Sequence, residues 1–357
     1  MKNSLNKLNK RQENILEILE KGEFFSVSGI IENLQLVFGK ISKPTINRDL
    51  EMLIKSGFII RQGKGRATVY EISKHYNLIK PIDNDAYFKI ETDKRKAGDR
   101  FDFSVFSFLK DVFTFSEKEY LKKINKKYQH NIENISESAQ KTEFERLMIE
   151  LSWKSSQIEG NTYTLLETES LIKENKEASG YKKEEATMIL NHKKALEYIR
   201  KNKNIFQKIT VSKIEDIHSI LTQDLKISHG LRKSPVGIVG TKYRPLDNQF
   251  QIKEALEETC KLVNLEKDPF AKAIILSVMI AYIQPFEDGN KRTSRMVSNA
   301  ILMAQSICPL SYRSVDEVEY KKAVILFYEQ NNISYFKQLF IEQFEFAVDN
   351  YFLSGRK

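Results

Sequence analysis

Cysteine is close to absent. There are two in 357 residues, Cys260 and Cys308, alongside one tryptophan and five histidines. Two cysteines inside separate apolar-patterned stretches supply neither a disulfide framework nor a Cys-x-x-Cys metal pair, which predicts buried free thiols in a reducing compartment. His192, His218 and His229 have no second ligand at metal spacing, so they read as surface or hydrogen-bonded histidines rather than metal ligands. No apolar run is long enough to span a bilayer, and Met1-Lys-Asn-Ser-Leu-Asn-Lys7 contains no apolar signal region. Internal repeats and low-complexity tracts are also missing. These absences predict a cytoplasmic protein with no membrane partner.

What is present suits a large domain with a small one. The chain is 41% hydrophobic, enough for a core, and its net charge of +9 favours acidic partners, nucleic acid among them.

The most informative stretch is Ala281-Tyr-Ile-Gln-Pro-Phe-Glu-Asp-Gly-Asn-Lys-Arg-Thr-Ser-Arg295. Residues 271–283 before it are apolar nearly all round and predict a buried helix. Pro285 ends that helix because it lacks a backbone donor. Glu287-Asp288-Gly289-Asn290 predicts a tight turn with positive φ at glycine. A second helix then begins near Asn290 and runs to about Gln305. It carries Arg292 and Arg295 three apart on one face of its first turn. The free N–H groups of that turn attract anions, the arginines add bidentate phosphate donors, and Asp288 is placed to hold a divalent cation. The whole describes a polyphosphate cradle.

This run resembles the signature of the Fic/Doc (Fido) family, His-x-Phe-x-(Asp/Glu)-Gly-Asn-x-Arg-x-x-Arg. Phe286, Asp288, Gly289, Asn290, Arg292 and Arg295 fall on it in register. Gln284 stands where the family has histidine, and no histidine lies in or beside the signature in sequence. The resemblance implies ATP held by Gly289, Asn290, Lys291, Arg292, Thr293, Ser294 and Arg295, with Mg2+ on Asp288. It implies transfer of AMP to a hydroxyl of a protein target. Catalytic roles would fall to Asp288, Asn290, Arg292 and the Gln284 position, where a carboxamide cannot replace a base worth ~10²–10⁴-fold. Lys291 is a milder departure: Doc-type members have lysine there and transfer a phosphate. They lack the second arginine, which this chain keeps as Arg295, so AMP transfer stays ahead.

Upstream, residues 143–159 predict a helix with Phe144, Leu147 and Leu151 on its apolar face, ending Ser155-Ser-Gln-Ile-Glu159-Gly160. An anion in a last turn opposes the helix dipole, and such a local conflict marks a candidate functional position. The family's inhibitory motif, (Ser/Thr)-x-x-x-Glu-(Gly/Asn), matches as Ser155, Glu159 and Gly160. It implies that Glu159 pairs with Arg295 and withholds it from the γ-phosphate. Thr164 to Glu167 forms a capping box for a helix to about Lys176, and another helix covers about 183–201. Residues 230–245, rich in glycine, proline and β-branched residues, predict a hairpin. It resembles the family's flap, with Val236, Gly237, Ile238 and Val239 holding a target segment by strand addition. Helices are further expected at 251–264, 315–330 and 334–350. Asn331 matches a nucleotide-contacting asparagine of the family.

At the start of the chain, Ile15, Leu16, Ile18 and Leu19 fall at helical spacing. Ser26 predicts an N-cap for a helix reaching Leu34. Pro44 opens a third helix with Leu50, Leu53 and Ile54 on its apolar face, and Gly57 ends it. Residues 58–72 then read as strand, Gly-rich turn, strand. This order resembles a winged helix-turn-helix with recognition helix 43–56 and wing tip 63–66. Residues 1–75 hold thirteen Lys and Arg against eight Asp and Glu. Lys43, Arg48, Lys55, Arg61, Lys64 and Arg66 lie on helix and wing, which favours duplex DNA over protein contacts.

The expected architecture is mainly α. A winged helix-turn-helix covers 1–75, a linker 76–100, and an all-α Fic domain with a small hairpin flap 101–350. Two functions stay open: an AMP transferase held off by Glu159, or a nucleotide-sensing pseudoenzyme acting as a DNA-binding regulator. A homo-oligomer is compatible with either.

Overall fold

The structure is a computed structural model that describes residues 8–22 and 24–354, without the Arg66 side chain. The segment read for a signal region, residues 1–7, lies outside the described residues.

Asn9 opens α1 (Lys10–Glu20) through a capping box with Gln12. Ser26 caps α2 (Val27–Phe38) by accepting from Gly29 N, and the helix runs on past Leu34. Pro44 lies in the first turn of α3 (Lys43–Lys55), whose Ile46, Leu50 and Leu53 are buried. Asp49 on α3 takes hydrogen bonds from Arg11 and Gln12 of α1, which seats one helix on the other. Gly57, at φ +73°, turns the chain out of α3. The strands β2 (Ile59–Gln62) and β3 (Val69–Ile72) follow, paired antiparallel around a wing turn. A third strand, β1 (Phe25–Ser26), pairs with β3 and completes a sheet of order β1-β3-β2. Two residues are too few to display the alternation by which a strand is recognised in sequence.

Residues 76–100, expected as a linker, are folded. They contain the end of α4 (Lys74–Ile79), then α5 (Asn84–Lys89) and a 3-10 turn at Thr92–Lys94. Short helices of this size have no room for a hydrophobic period, and their order comes from docking rather than from propensity.

The remainder is helical: α6 (Val105–Phe108), α7 (Phe115–Glu133), α8 (Glu137–Gln157), α9 (Leu165–Glu174), α10 (Lys183–Lys201) and α11 (Val211–Thr222) come first. Then follow α12 (Gln249–Leu265), α13 (Pro269–Ile283), α14 (Asn290–Ala304), α15 (Glu317–Gln330) and α16 (Ser334–Asn350). Helix α13 is the centre of this domain. From Phe270 to Ile283 only Lys272 escapes full burial, as its all-round apolar sequence requires. Helix α14 packs along it, and α8, α10 and α11 pack on α14. Both cysteines are buried free thiols. Among the described residues no helix is long and apolar enough to cross a membrane.

The hairpin expected over 230–245 is corrected to an extended loop. Its assigned bridge joins Arg244 to Arg100, outside the loop. Pro235 and Pro245 remove two ladder donors. Carbonyls that a hairpin would pair internally are instead taken by arginines: Arg232 donates to Ser234 O, and Arg95 to Gly240 O.

Candidate functional site

The site is built where α13 stops and α14 starts. Pro285 cannot extend the helix, and Gln284 caps it in the left-handed region at φ 50°. Gly289 opens α14 at φ +81°, and a Cβ there would stand 3.2 Å from Thr222 Cγ2 and 3.4 Å from Arg292 Nη2. Glycine is therefore required twice over, by backbone conformation and by space. Asn290 closes the loop on itself: its Oδ1 accepts from Phe286 N at 2.9 Å and its Nδ2 donates to Phe286 O at 2.8 Å. Phe286 is fully buried and anchors the turn.

Arg292 is buried and donates to Asp288 Oδ2 at 3.1 Å, while its Nη1 has no hydrogen-bond partner among the described residues. Burial pulls its pKa below the usual arginine value, against the opposing pull of Asp288. A buried guanidinium with a spare donor beside a helix N-terminus is suited to an anion. The Asp288 side chain is 69% exposed. Among the described residues no cluster of three or more His, Cys, Asp or Glu side chains could hold a metal. A divalent cation at Asp288 would therefore depend on phosphate oxygens and water for its other ligands, the usual arrangement for Mg2+.

Arg295 points to α8. Its Nε donates to Ser155 Oγ at 3.0 Å, and its Nη2 to Ser155 O and to Glu159 Oε1, both at 2.9 Å. The second oxygen of Glu159 faces Lys291 Nζ at 3.0 Å. Burial alone would raise the Glu159 carboxyl, but Arg295 and Lys291 outweigh it and hold the pKa at about 2. Helix α8 ends at Gln157, so Glu159 lies in the turn just beyond it, with Gly160 at φ +95°.

A cavity of about 440 Å³ opens beside these groups. Glu159, Gly160, Gln284, Asp288, Asn290, Lys291 and the loop residues Val236, Gly237, Ile238 and Val239 line it, with Tyr328 at its floor. Gln284 Nε2 donates to Ala281 O at 2.6 Å and to Tyr328 OH at 3.3 Å, so its carbonyl is the end left for a ligand. Three tyrosines stack beneath, Tyr243 on Tyr282 at 4.7 Å and on Tyr328 at 5.3 Å. Thr293 and Ser294 are fully buried and lie outside the cavity lining, with Thr293 N bonded to Gly289 O and the Ser294 hydroxyl to Lys291 O. Asn331 caps α15 at φ 45° and donates to Phe327 O, outside the lining.

Two histidines belong to this site though neither is near it in sequence. His218 stacks on Phe286 at 3.7 Å and donates from Nε2 to Asp288 O at 3.0 Å. The absence of a histidine beside the signature in sequence thus does not extend to space. Burial pushes the His218 pKa down to about 4. His192 donates from Nδ1 to Met188 O at 2.8 Å, so its Nε2, 2.9 Å from Ser155 Oγ, is the acceptor. That fixes the Ser155 hydroxyl with its lone pair toward Arg295. Arg232 is the third addition: its Nε donates to Gln284 O at 2.6 Å and its backbone N to Pro285 O at 3.0 Å. No local pattern marks these three residues, because each acts across 37 or more positions of sequence.

Lys43, Arg48, Lys55, Arg61 and Lys64 are exposed on α3 and the wing, and the Arg66 side chain lies outside the description.

Residues 208–302 match the Fic/DOC family, and residues 11–73 match the DeoR-like helix-turn-helix domain. A protein adenylyltransferase Fic of Nematostella vectensis is 31% identical over 176 residues, covering 47% of this chain and 40% of that protein. A protein of the same name from Drosophila melanogaster is 29% identical over 161 residues, 43% of this chain and 32% of the relative. The matches thus cover less than half of either relative's length. Among solved structures, Fic-1 (residues 134–508) from C. elegans superposes with a TM-score of 0.58 at 18% identity, over 66% of this chain and 72% of that one. A Fic domain containing signaling protein from Bacteroides thetaiotaomicron gives 0.55 at 18% identity, over 64% and 95%. These likenesses establish the fold of the helical domain.

Proposed function

Since the chain carries a Fic/DOC family domain behind a DeoR-like helix-turn-helix domain, we propose that it binds ATP with Mg2+ and resembles the protein adenylyltransferases. On this reading it is autoinhibited by Glu159 and impaired at Gln284, with AMP passing to a Ser, Thr or Tyr hydroxyl of a protein target. The observation that carries the reading is the pairing of Glu159 with both Arg295 and Lys291 at the wall of the cavity. A carboxylate there occupies the cations that a triphosphate would use.

The chain's own groups supply most of the chemistry. The first-turn N–H groups of α14 would face the α-phosphate and stabilise charge that grows on it. Arg292, with its spare buried donor, would neutralise the leaving pyrophosphate. Asp288 would hold Mg2+, which supplies Lewis-acid stabilisation of the phosphates when bound. Residues 236–239 would align an extended target segment over Gln284. Asn290, committed to the Phe286 backbone, would act by shaping the loop rather than by contacting phosphate. Gln284 can accept a hydrogen bond from the incoming hydroxyl but cannot take its proton.

The test is calorimetric titration of the Glu159→Gly chain with ATP and Mg2+. Saturable binding is expected, and adding Arg292→Ala should weaken it about tenfold or more, as for loss of a charged hydrogen bond. No binding by Glu159→Gly removes the reading.

A second reading, a nucleotide-sensing DNA-binding regulator, draws on the exposed cations of α3 and the wing. The full chain should retard duplex DNA with a steep salt dependence, because phosphate contacts release counterions. Lys64→Ala should lower the slope of log K against log salt by about one. No retardation at low salt would make the winged helix a protein-contact module.

A further inference from the structure

Arg95 is a buried cation whose partners come from separate parts of the molecule. Its Nη2 donates to Gly240 O at 2.6 Å, in the loop over the cavity, and to Thr92 Oγ1 at 2.8 Å. Its Nη1 lies 3.3 Å from Glu329 Oε2 on α15, with the two side chains only 4% and 0% exposed. The guanidinium rests over the Phe88 ring, 5.3 Å from its centroid. Arg95 Nε and Glu329 Oε1 have no hydrogen-bond partner among the described residues. A buried ion pair left partly unsatisfied is weak evidence for stability, because desolvation offsets the Coulomb attraction. Its best-attested use is to set register.

The register set here is that of the loop. Residues 236–239 belong to no strand, so pairing does not place them over the cavity. Segment 93–99 instead anchors the residues that follow them, at Gly240, Lys242 and Arg244. Asp93 O accepts from Lys242 Nζ at 2.9 Å, Asp99 O accepts from Arg244 N at 2.8 Å, and Gly98 N donates to Glu329 O at 2.7 Å. The other end of the same segment leads to the winged helix. Asn332 donates to Asn77 O and Lys80 O at 2.7 and 2.8 Å, holding the end of α4. Ser73, the cap of α4, donates through its hydroxyl to Gly57 O, where the wing begins.

We propose that Arg95 is a positioning residue for target capture. It holds edge 236–239 at the height over Gln284 and Asp288 that an extended peptide of the target requires. Through the end of α15, where Glu329 pairs with Arg95 and Asn332 holds α4, it makes that height depend on how α4 and the winged helix are seated. The inference rests on reading 236–239 as the segment that holds a protein target.

Limited trypsin digestion of the full chain, read by mass spectrometry, tests it. Cleavage after Lys242 reports release of the loop, and cleavage after Lys40 in the N-terminal domain is the internal reference. Arg95→Ala should accelerate Lys242 cleavage by about tenfold or more, the worth of a hydrogen bond to a charged group. That variant strands Glu329, so Arg95→Met with Glu329→Leu is the second variant. It removes both charges, should keep the wild-type melting temperature to within a few degrees, and should still release the loop. Asn332→Ala should accelerate Lys242 cleavage in the same direction. Unchanged Lys242 cleavage in the double variant, or an equal rise at Lys40, overturns the positioning role. Unchanged cleavage in Asn332→Ala overturns the link to the N-terminal domain. Failure of Glu159→Gly to bind ATP would remove the proposed function and leave the cleavage result standing, so the two failures are distinguishable.

Discussion

The double variant Glu159→Gly, Gln284→His should transfer AMP to protein at least ~10²-fold faster than Glu159→Gly alone, the lower end of what a general base supplies. The argument starts from where Gln284 sits. It caps α13 in the left-handed region, lines the cavity, and has its amide nitrogen turned to Ala281 O and Tyr328 OH. An imidazole at that position would have a ring nitrogen available to the incoming hydroxyl. Arg232 would still hold the residue through its carbonyl. The carboxamide offers positioning without proton transfer, so Glu159→Gly alone should show little or no transfer. The gained activity should decline as pH falls below the pKa of the new histidine, because only the neutral ring accepts a proton. Radiolabelled ATP with cell lysate, followed over pH, measures both. Brisk transfer by Glu159→Gly with Gln284 in place would sink this account and move the base elsewhere. His218, stacked on Phe286, would be the histidine to substitute next. A double variant that binds ATP and stays silent would favour the sensing function.

The second large effect is on nucleotide affinity. Glu159→Gly should bind ATP with Mg2+ about tenfold more tightly than the native chain, or better, because charged hydrogen bonds no longer compete for Arg295 and Lys291. Ser155 keeps two hydrogen bonds to Arg295 in that variant, so the guanidinium stays oriented instead of collapsing into the space left by glutamate. The affinity ratio should be flat between about pH 5 and 9. The Glu159 pKa is depressed to about 2, so its pairing is fully present above the ordinary carboxylate range. It is lost only as pH falls toward that value. Calorimetry across the range checks this. Equal affinities in the two proteins would remove the inhibitory role, and a ratio that changes near neutrality would assign the effect to another group.

The residues themselves were enough for everything whose cause is local. Pro285 stops α13, Gly289 opens α14, and Thr164 with Glu167 or Ser26 with Gly29 caps a helix, because each effect is settled within a turn of backbone. The arginines of α14 share a face by helical geometry alone, and the motif around Glu159 was legible because its residues are four apart. Tertiary structure decided what depends on distant partners. Residues 230–245 have hairpin composition, yet Arg95 and Arg232 take the carbonyls of Gly240 and Ser234. Residues 76–100 look like a charged connector, yet they fold because Asn332 and Glu329 are there to dock them. His192 and His218 are unremarkable in the chain and become part of the site only when α10 and α11 pack on α14. Sequence order determines the turns and caps. Which carbonyl a buried guanidinium satisfies is settled only by the packing of elements far apart in the chain, where burial makes an unpaired polar group too costly to leave.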